Sequence, residues 1–266
     1  MLAGVGKIGR IGSAGTGGGG LVLEGFQSVW ATTTSAETIT IPCQNVGTFN
    51  AVIEWGDGTA NSTITTYNDA DLAHEYATAG DHTIKITGTF PNIKFSNGGD
   101  KLKIKKVLNL GDVGWTRLDR AFYGCSNLTD FTAGSTDTSA VTDMAVMFRD
   151  CSGLSSPDVS SLDTSSVLSM QFMFRDCDGL TSIVGVEDFD ITGFNSTSSL
   201  TSFITVGRMT TTQYDDLLVN WEAQSVYSGM SPSFGASTYT GGGAAATARA
   251  ALISADGWSI SDGGIA

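Results

Sequence analysis

The side chains that could bind a metal ion or act in catalysis are four cysteines, two histidines and 27 acidic residues. No Cys-x-x-Cys pair and no histidine cluster occurs, so the sequence does not favour a metal site, and we expect no cofactor. A nucleophile–histidine–acid set would need His74 or His82, and no Gly-x-Ser-x-Gly motif accompanies them. We expect His74 to make a structural hydrogen bond and His82, beside Asp81 in a turn, to be solvated.

Three of the cysteines belong to a repeated pattern. Phe122, Phe148 and Phe174 are 26 residues apart, and each is followed three positions later by cysteine and six positions later by leucine. A fixed period of this size indicates stacked units, each of which buries its apolar edge only against its neighbours. We therefore expect the cysteines to be buried free thiols in an interior stack. A disulfide or a metal site is the less favoured alternative.

Within one unit the large side chains recur at helical spacing. An i, i+3, i+4, i+7 pattern predicts one face of a short helix or helical turn. In the second unit this pattern consists of Met144, Met147, Phe148 and Cys151. Leu154 then begins an extended segment, and Asp163-Thr-Ser165 supplies turn chemistry before the next unit.

The order Met-Phe, Cys, Leu and Asp-Thr-Ser resembles the BspA-like leucine-rich repeats, in the variant of mycoplasma surface lipoproteins. The likeness is close from Val141 to Met170, whereas the first unit departs from it with Leu118 in place of methionine. The resemblance implies a solenoid over residues 118–209 and a C-terminal cap over 210–266. In this family such repeats mostly serve as adhesion surfaces.

Residues 21–89 contain short runs of alternating apolar and polar residues, which predict a β-sandwich. The motif Trp55-Gly-Asp57-Gly, followed by His-x-Tyr76, resembles the PKD-type immunoglobulin-like domain. That resemblance implies that Trp55 and Tyr76 are core residues and that Asp57 forms the turn. The predicted fold class is mainly β with short helices: a PKD/immunoglobulin-like β-sandwich, then a leucine-rich-repeat solenoid with an α/β C-terminal cap.

Residues 90–117 are predicted to connect the two parts and to cap the solenoid. The alternation over 101–110 predicts a strand with Leu102, Ile104 and Val107 turned inward. Its lysines form either a solvated face or a contact with an acidic neighbour, such as another copy of this chain. In the cap, Thr210 is expected to begin one helix, and 244–254 is expected to form a second.

Residues 1–20 are rich in glycine and predict an arm. Its Gly-x-Gly-x-x-Gly match is not expected to bind a nucleotide, because no strand can precede it. The arm is either flexible or ordered only against a partner, such as a capsid or tail protein of a virus particle. The residues predicted to dock it are Val5, Lys7, Ile8, Arg10 and Ile11.

Composition narrows the classes of function. A net charge of −13 disfavours nucleic acid as a partner. The sequence contains no apolar run of 18 residues and no recognisable signal peptide, so we expect no membrane contact. Few charges and abundant Gly, Ser and Thr are typical of β-rich proteins outside cells or on virus particles. We expect a non-enzymatic bacteriophage virion protein: a head decoration or fibre protein, or a tail adhesin. The alternatives are a secreted bacterial cell-surface adhesin and, less favoured, a carbohydrate-active enzyme.

If the repeats bind a glycan or protein of the host surface, the expected site is a pair of charges that recurs at the unit spacing. These residues are Arg149, Asp150, Arg175 and Asp176. The alternative is that they form ordinary salt bridges with one another.

Overall fold

The computed structural model describes residues 24–266, so the predicted docking arm lies outside the described residues. The strands are β1 (Phe26–Thr32), β2 (Glu37–Thr40), β3 (Asn50–Glu54), β4 (Ser62–Ile64), β5 (Ala73–Tyr76), β6 (Gly80–Thr89), β7 (Ile104–Asn109) and β8 (Asp130–Phe131). The helices are α1 (Thr211–Glu222) and α2 (Ala244–Ser254), and short 3₁₀ turns occupy Ala70–Leu72 and Val186–Asp188.

The N-terminal part packs a two-stranded sheet, β2–β5, with a six-stranded sheet in the order β4-β3-β6-β1-β7-β8. Side chains alternate along β1, so that Phe26 and Trp30 are buried in the core. Trp55 and Tyr76 are each 1% exposed, and the Tyr76 hydroxyl donates to the Trp55 carbonyl at 2.8 Å. Asp57 accepts a hydrogen bond from the backbone N–H two residues ahead. The predicted roles of these three residues are confirmed.

Strand β7 joins this part to the repeats. It pairs antiparallel with β1, where Trp30 faces Ile104, and parallel with β8, where Val107 faces Phe131. The sheet therefore runs without a break into the first repeat. Ile104 and Val107 are buried as predicted, but the prediction for Leu102 is wrong, because its side chain is 53% exposed. The Lys103 N–H closes a turn onto the Asp100 carbonyl, and this turn interrupts the alternation before the strand begins.

The lysines of this segment meet acidic residues of the same chain. Lys105 Nζ lies 2.9 Å from an Asp81 carboxylate oxygen, and Lys106 Nζ lies 3.0 Å from Asp130. Lys103 pairs with both Glu37 and Asp100. Most of these acidic neighbours belong to the N-terminal sheets and their loops.

The short helix or helical turn predicted in each repeat is not formed, although the residues predicted for its buried face are buried. Two consecutive β-turns stand in its place: the Met147 N–H donates to the Met144 carbonyl, and the Cys151 N–H closes the next turn. The third residues of these turns, Val146 and Asp150, have φ of 64° and 59°, which is the requirement of a type II turn. The ends of two successive turns approach the same side, so they reproduce the i, i+3, i+4, i+7 pattern of a helix.

The backbone groups that do not close these turns bond to the next unit. Val146 N–H donates to Gln171 O at 2.8 Å, and Asp150 N–H donates to Arg175 O at 2.9 Å. Equivalent bonds join the first unit to the second, for example Arg120 N–H to Ala145 O. The units are therefore held in parallel register by a backbone ladder. We call the layered region over residues 118–209 the repeat stack.

The predicted interior stack of the repeats is confirmed. The rings of Phe122 and Phe148 are 5.6 Å apart and 9° from parallel, and those of Phe148 and Phe174 are 5.2 Å apart and 11° from parallel. The thiol of Cys151 donates to the Phe122 carbonyl, and the thiol of Cys177 donates to the Phe148 carbonyl, both at 3.0 Å. Burial raises the pKa of the Cys177 thiol to about 12, so it is held neutral.

The C-terminal residues close the far end of the stack. Helix α1 begins with a capping box at Thr210, and both helices lie where the sequence places them. Gln224, just after α1, accepts from the Ile191 N–H and donates to the Phe189 carbonyl, both at 2.9 Å. The Gln224 side-chain amide thereby satisfies the Ile191 N–H and the Phe189 carbonyl, which would otherwise bond to the backbone of a further unit. The buried Asp262 fixes the end of the chain by accepting hydrogen bonds from Tyr214 Oη and Arg249 Nε.

Replacement of Gly153 by alanine is expected to destabilise the stack, because the added Cβ would lie 2.6 Å from the Ser126 carbonyl oxygen of the preceding unit. Such overpacking costs about 1–3 kcal/mol. Urea denaturation of Gly153→Ala measures this loss. Gly98→Ala is the control, because its Cβ would meet its nearest heavy atom at 3.6 Å. Equal stability of the two variants would contradict the close packing of units.

Candidate functional site

The two histidines lie in one cluster on the N-terminal part. The His74 ring stacks on Trp55 with centroids 4.8 Å apart, and the His82 ring stacks on Tyr76 at 3.6 Å. His74 Nε2 lies 2.8 Å from a carboxylate oxygen of Asp57. The structural hydrogen bond predicted for His74 is confirmed.

This cluster does not have the geometry of a Ser-His-Asp triad. In a triad the acid and the nucleophile bind different nitrogens of the histidine ring. Here the Thr59 hydroxyl and the Asp57 carboxylate both face His74 Nε2, at 3.4 and 2.8 Å. Burial is the largest single influence on the Asp57 carboxyl and raises its pKa. Hydrogen bonds from Thr59 and His74 outweigh it and lower the pKa to about 2. The carboxylate therefore stays ionised and organises the turn.

The prediction that His82 is solvated is wrong. The residue is 8% exposed, and its Nε2 lies 2.9 Å from the Thr32 hydroxyl. Strand β6 begins at Gly80, so His82 already belongs to the alternation that turns Ile84 and Ile86 inward. Desolvation lowers the pKa of His82 despite the nearby Asp57 and Asp81.

The predicted binding residues of the repeats come together in space; we call Arg149, Asp150, Arg175 and Asp176 the Arg–Asp column. Arg175 Nε lies 3.2 Å from Asp176 Oδ2 within one unit. Arg149 Nε lies 3.7 Å from Asp150 and 3.9 Å from Asp176 of the next unit. The side chains are between 28% and 41% exposed. The column is thus a partly solvated row of alternating charges. This arrangement is compatible both with a binding site and with ordinary salt bridges, the two hypotheses that the sequence left open.

Neighbouring side chains hold the column in place. The guanidinium carbon of Arg149 lies 5.2 Å from the Tyr123 ring centroid, and that of Arg175 lies 5.2 Å from the Phe172 ring centroid. Exposed contacts of this kind contribute about 0.5–1 kcal/mol each. The Thr205 hydroxyl donates to Asp176 Oδ1 at 3.0 Å. The side chains of the row are therefore held in place by contacts within the protein itself.

One basic residue that the sequence analysis did not single out faces a groove. Arg208 is exposed beside a groove of about 490 Å³ between the third repeat unit and the cap. The sequence does carry a signal for it, since Arg208 is the only charged residue between Asp190 and Asp215. Its side chain has no charged neighbour in sequence with which to pair.

Comparison with known proteins gives one match. Residues 116–240 match a family described as Mycoplasma protein of unknown function, DUF285. The repeats are similar to this family, as their likeness to mycoplasma proteins predicts. The match includes the repeat stack and α1 but covers less than half of the chain.

The match does not reach the N-terminal sheets, whose resemblance to the PKD-type domain stays a prediction. No curated protein and no solved structure shows a significant match.

Two features are absent from residues 24–266. Neither α1 nor α2 has the length and apolar character that a bilayer-spanning helix needs. Within the same range, no three His, Cys, Asp or Glu side chains are grouped so that they could hold a metal ion.

The buried His82 predicts a loss of stability in mild acid. Its pKa is lower in the folded state than the ordinary 6.5, so below that pH the unfolded chain binds more protons than the folded chain. The free energy of unfolding is therefore expected to fall as the pH is lowered from 7 to 5, because protonation of His82 favours the unfolded chain. Urea denaturation at pH 7, 6 and 5 measures the effect. His82→Gln should show a correspondingly smaller fall, and an identical pH profile would contradict the assignment.

Proposed function

We propose that the protein is a non-enzymatic structural or display protein of a bacteriophage particle, as a head decoration, a fibre or a tail adhesin. In this role the repeat stack binds a glycan or protein of the host surface. The observation that carries the proposal is the Arg–Asp column, in which charged side chains repeat on a backbone fixed by hydrogen bonds between units. A pre-ordered row of charges loses little conformational entropy on binding.

We also propose that residues 118–209 are a leucine-rich-repeat solenoid and that residues 21–89 are a PKD-type sandwich. The backbone ladder between units and the parallel phenylalanine rings support the first assignment. The packing of Trp55 against Tyr76 and the turn formed by Asp57 support the second. In this arrangement the sandwich acts as a spacer for the binding surface.

A second candidate function is a bacterial cell-surface adhesin. The match of residues 116–240 to a mycoplasma family favours it. Both candidates use the same surface and differ in where the protein is located.

Replacement of all four residues of the Arg–Asp column by alanine is expected to weaken binding to host cells at least tenfold. Stability should change by about 1 kcal/mol or less for each pair, because partly exposed ion pairs contribute little. Flow cytometry with fluorescently labelled protein measures the binding. The control is Glu54→Ala with Lys85→Ala, which removes another partly exposed ion pair, outside the stack. Unchanged affinity of the quadruple variant would rule out the column as the binding surface.

The location is tested by quantitative mass spectrometry of purified phage particles and of envelopes from uninfected cells. The particle hypothesis predicts a fixed ratio of this chain to the major capsid protein, and none in the envelopes. Recovery from the envelopes alone would instead establish the cell-surface adhesin.

A further inference from the structure

We propose that the groove beside Arg208 binds a carboxylate-bearing sugar. This inference rests on the proposed function, in which the protein contacts glycans of a host surface, and it names both the site and the class of glycan. We call this site the Arg208 groove. It is lined by Thr181, Ser182, Arg208, Met209, Thr210, Thr211, Ala236 and Thr238.

The size of the Arg208 groove suits a small ligand. Its volume of about 490 Å³ falls within the roughly 300–1,000 Å³ that small-molecule sites occupy. Two of its walls come from different parts of the fold: Thr181 and Ser182 from the third repeat unit, and Thr211 from the first turn of α1. The Arg208 N–H donates to the Leu180 carbonyl at 3.0 Å, which ties the backbone of the floor to the repeat stack. The groove is therefore preformed.

The charge of Arg208 is the first argument for an anionic ligand. Every other lysine and arginine side chain in residues 24–266 makes an ion pair or a hydrogen bond, whereas Arg208 makes neither. A shortage of acids does not explain this, because the chain carries 27 acidic and only 14 basic residues. A guanidinium presents N–H donors in a fixed fork that matches the two oxygens of a carboxylate.

The hydroxyl groups of the groove are the second argument. The Thr211 and Thr238 hydroxyls lie 3.0 Å apart, and Ser182 is hydrogen-bonded to Ser156. Both members of the Thr211–Thr238 pair line the groove, and their bond uses the hydrogen of only one hydroxyl, so the hydrogen of the other is left to donate. The groove thus offers this hydroxyl donor beside Arg208, and a sugar acid offers the matching carboxylate, ring and hydroxyl oxygens.

The charge of the whole chain disfavours a polyanion as the ligand. A net charge of −13 repels a nucleic acid or another chain of phosphates, and one arginine cannot offset that repulsion. A single carboxylate needs only Arg208. We therefore expect a terminal or isolated acidic sugar, bound in a salt-dependent way.

The test is isothermal titration of the full chain with D-glucuronate and with N-acetylneuraminate. D-Glucose is the neutral control, acetate is the control for a carboxylate without a sugar, and glucose 6-phosphate is the control for a different anion. We expect the two acidic sugars to bind, acetate to bind at least tenfold more weakly, and glucose to give no signal. Stronger binding of acetate or of glucose 6-phosphate than of both sugar acids would overturn the proposed ligand class.

Variants locate the site. Arg208→Gln should weaken binding of the acidic sugar at least tenfold, and Arg208→Lys should weaken it less, because it keeps the charge but loses the fork. Lys85→Gln removes one partly exposed positive charge from the N-terminal sheet, outside both the Arg208 groove and the Arg–Asp column, and should leave the affinity unchanged. Equal affinity of Arg208→Gln and the wild type would place the sugar elsewhere and overturn the inference. Thermal unfolding of each variant verifies that the chain is folded.

The two proposals fail in different ways. If the wild type binds none of the sugar acids, the Arg208 groove is not a glycan site. The proposed function is then still judged by host-cell binding of the quadruple alanine variant of the Arg–Asp column. If that variant binds cells normally while Arg208→Gln abolishes sugar binding, the Arg208 groove is supported as a sugar site and the Arg–Asp column is ruled out as the host-binding surface.

Discussion

Each repeat unit has an apolar edge that only a neighbouring unit can cover, and ring stacking between consecutive units covers it. The rings continue beyond the repeats at both ends, so the N-terminal part, the repeat stack and the cap share one hydrophobic core. The column of rings runs through Trp30, Phe95, Phe122, Phe148, Phe174, Phe203 and Phe234. Aromatic pairs contribute about 0.5–1.5 kcal/mol beyond their buried area. Trp30 of the N-terminal part packs on Phe95, and Phe95 packs on Phe122 of the first unit. The N-terminal part therefore caps the first unit, which is not an exposed end.

The same stacking explains an unusual backbone. Val146 and Phe172 adopt positive φ, which costs about 1 kcal/mol or more for residues other than glycine. The conformation persists because it turns alternate N–H groups towards the next unit, where they find carbonyls. Those bonds leave the outer side chains at a fixed spacing of about 4.8 Å, that of hydrogen-bonded backbones. A rigid row of side chains is the property that the proposed binding function needs.

The pairing of charged side chains also distinguishes one site from the rest of the chain. The chain has an excess of acids, and nearly all its cations in residues 24–266 are held by internal partners, as in the pair of Lys94 with the buried Asp119. Such pairs fix the junction between the N-terminal part and the repeats. Arg208 is different because its surroundings are hydroxyl groups rather than carboxylates. An unpaired cation on an acidic protein is a local positive site in a negative field, and this favours small anions over large ones.

The resemblance to the PKD-type domain implied the core roles of Trp55 and Tyr76. The sequence by itself determined the repeat period, the residues of the interior stack and the two helices of the cap. These follow from spacing and side-chain type, which act locally. The sequence could not separate a helix from two β-turns, because both bring i, i+3, i+4 and i+7 to one side and only bonds to the next unit select the turns. The sequence predicted the members of the Arg–Asp column, but the ion pair between Arg149 and Asp176 forms only because consecutive repeat units stack on each other. The burial of His82, the exposure of Leu102 and the Arg208 groove were decided by the tertiary structure alone, because each depends on contacts between segments far apart in the chain.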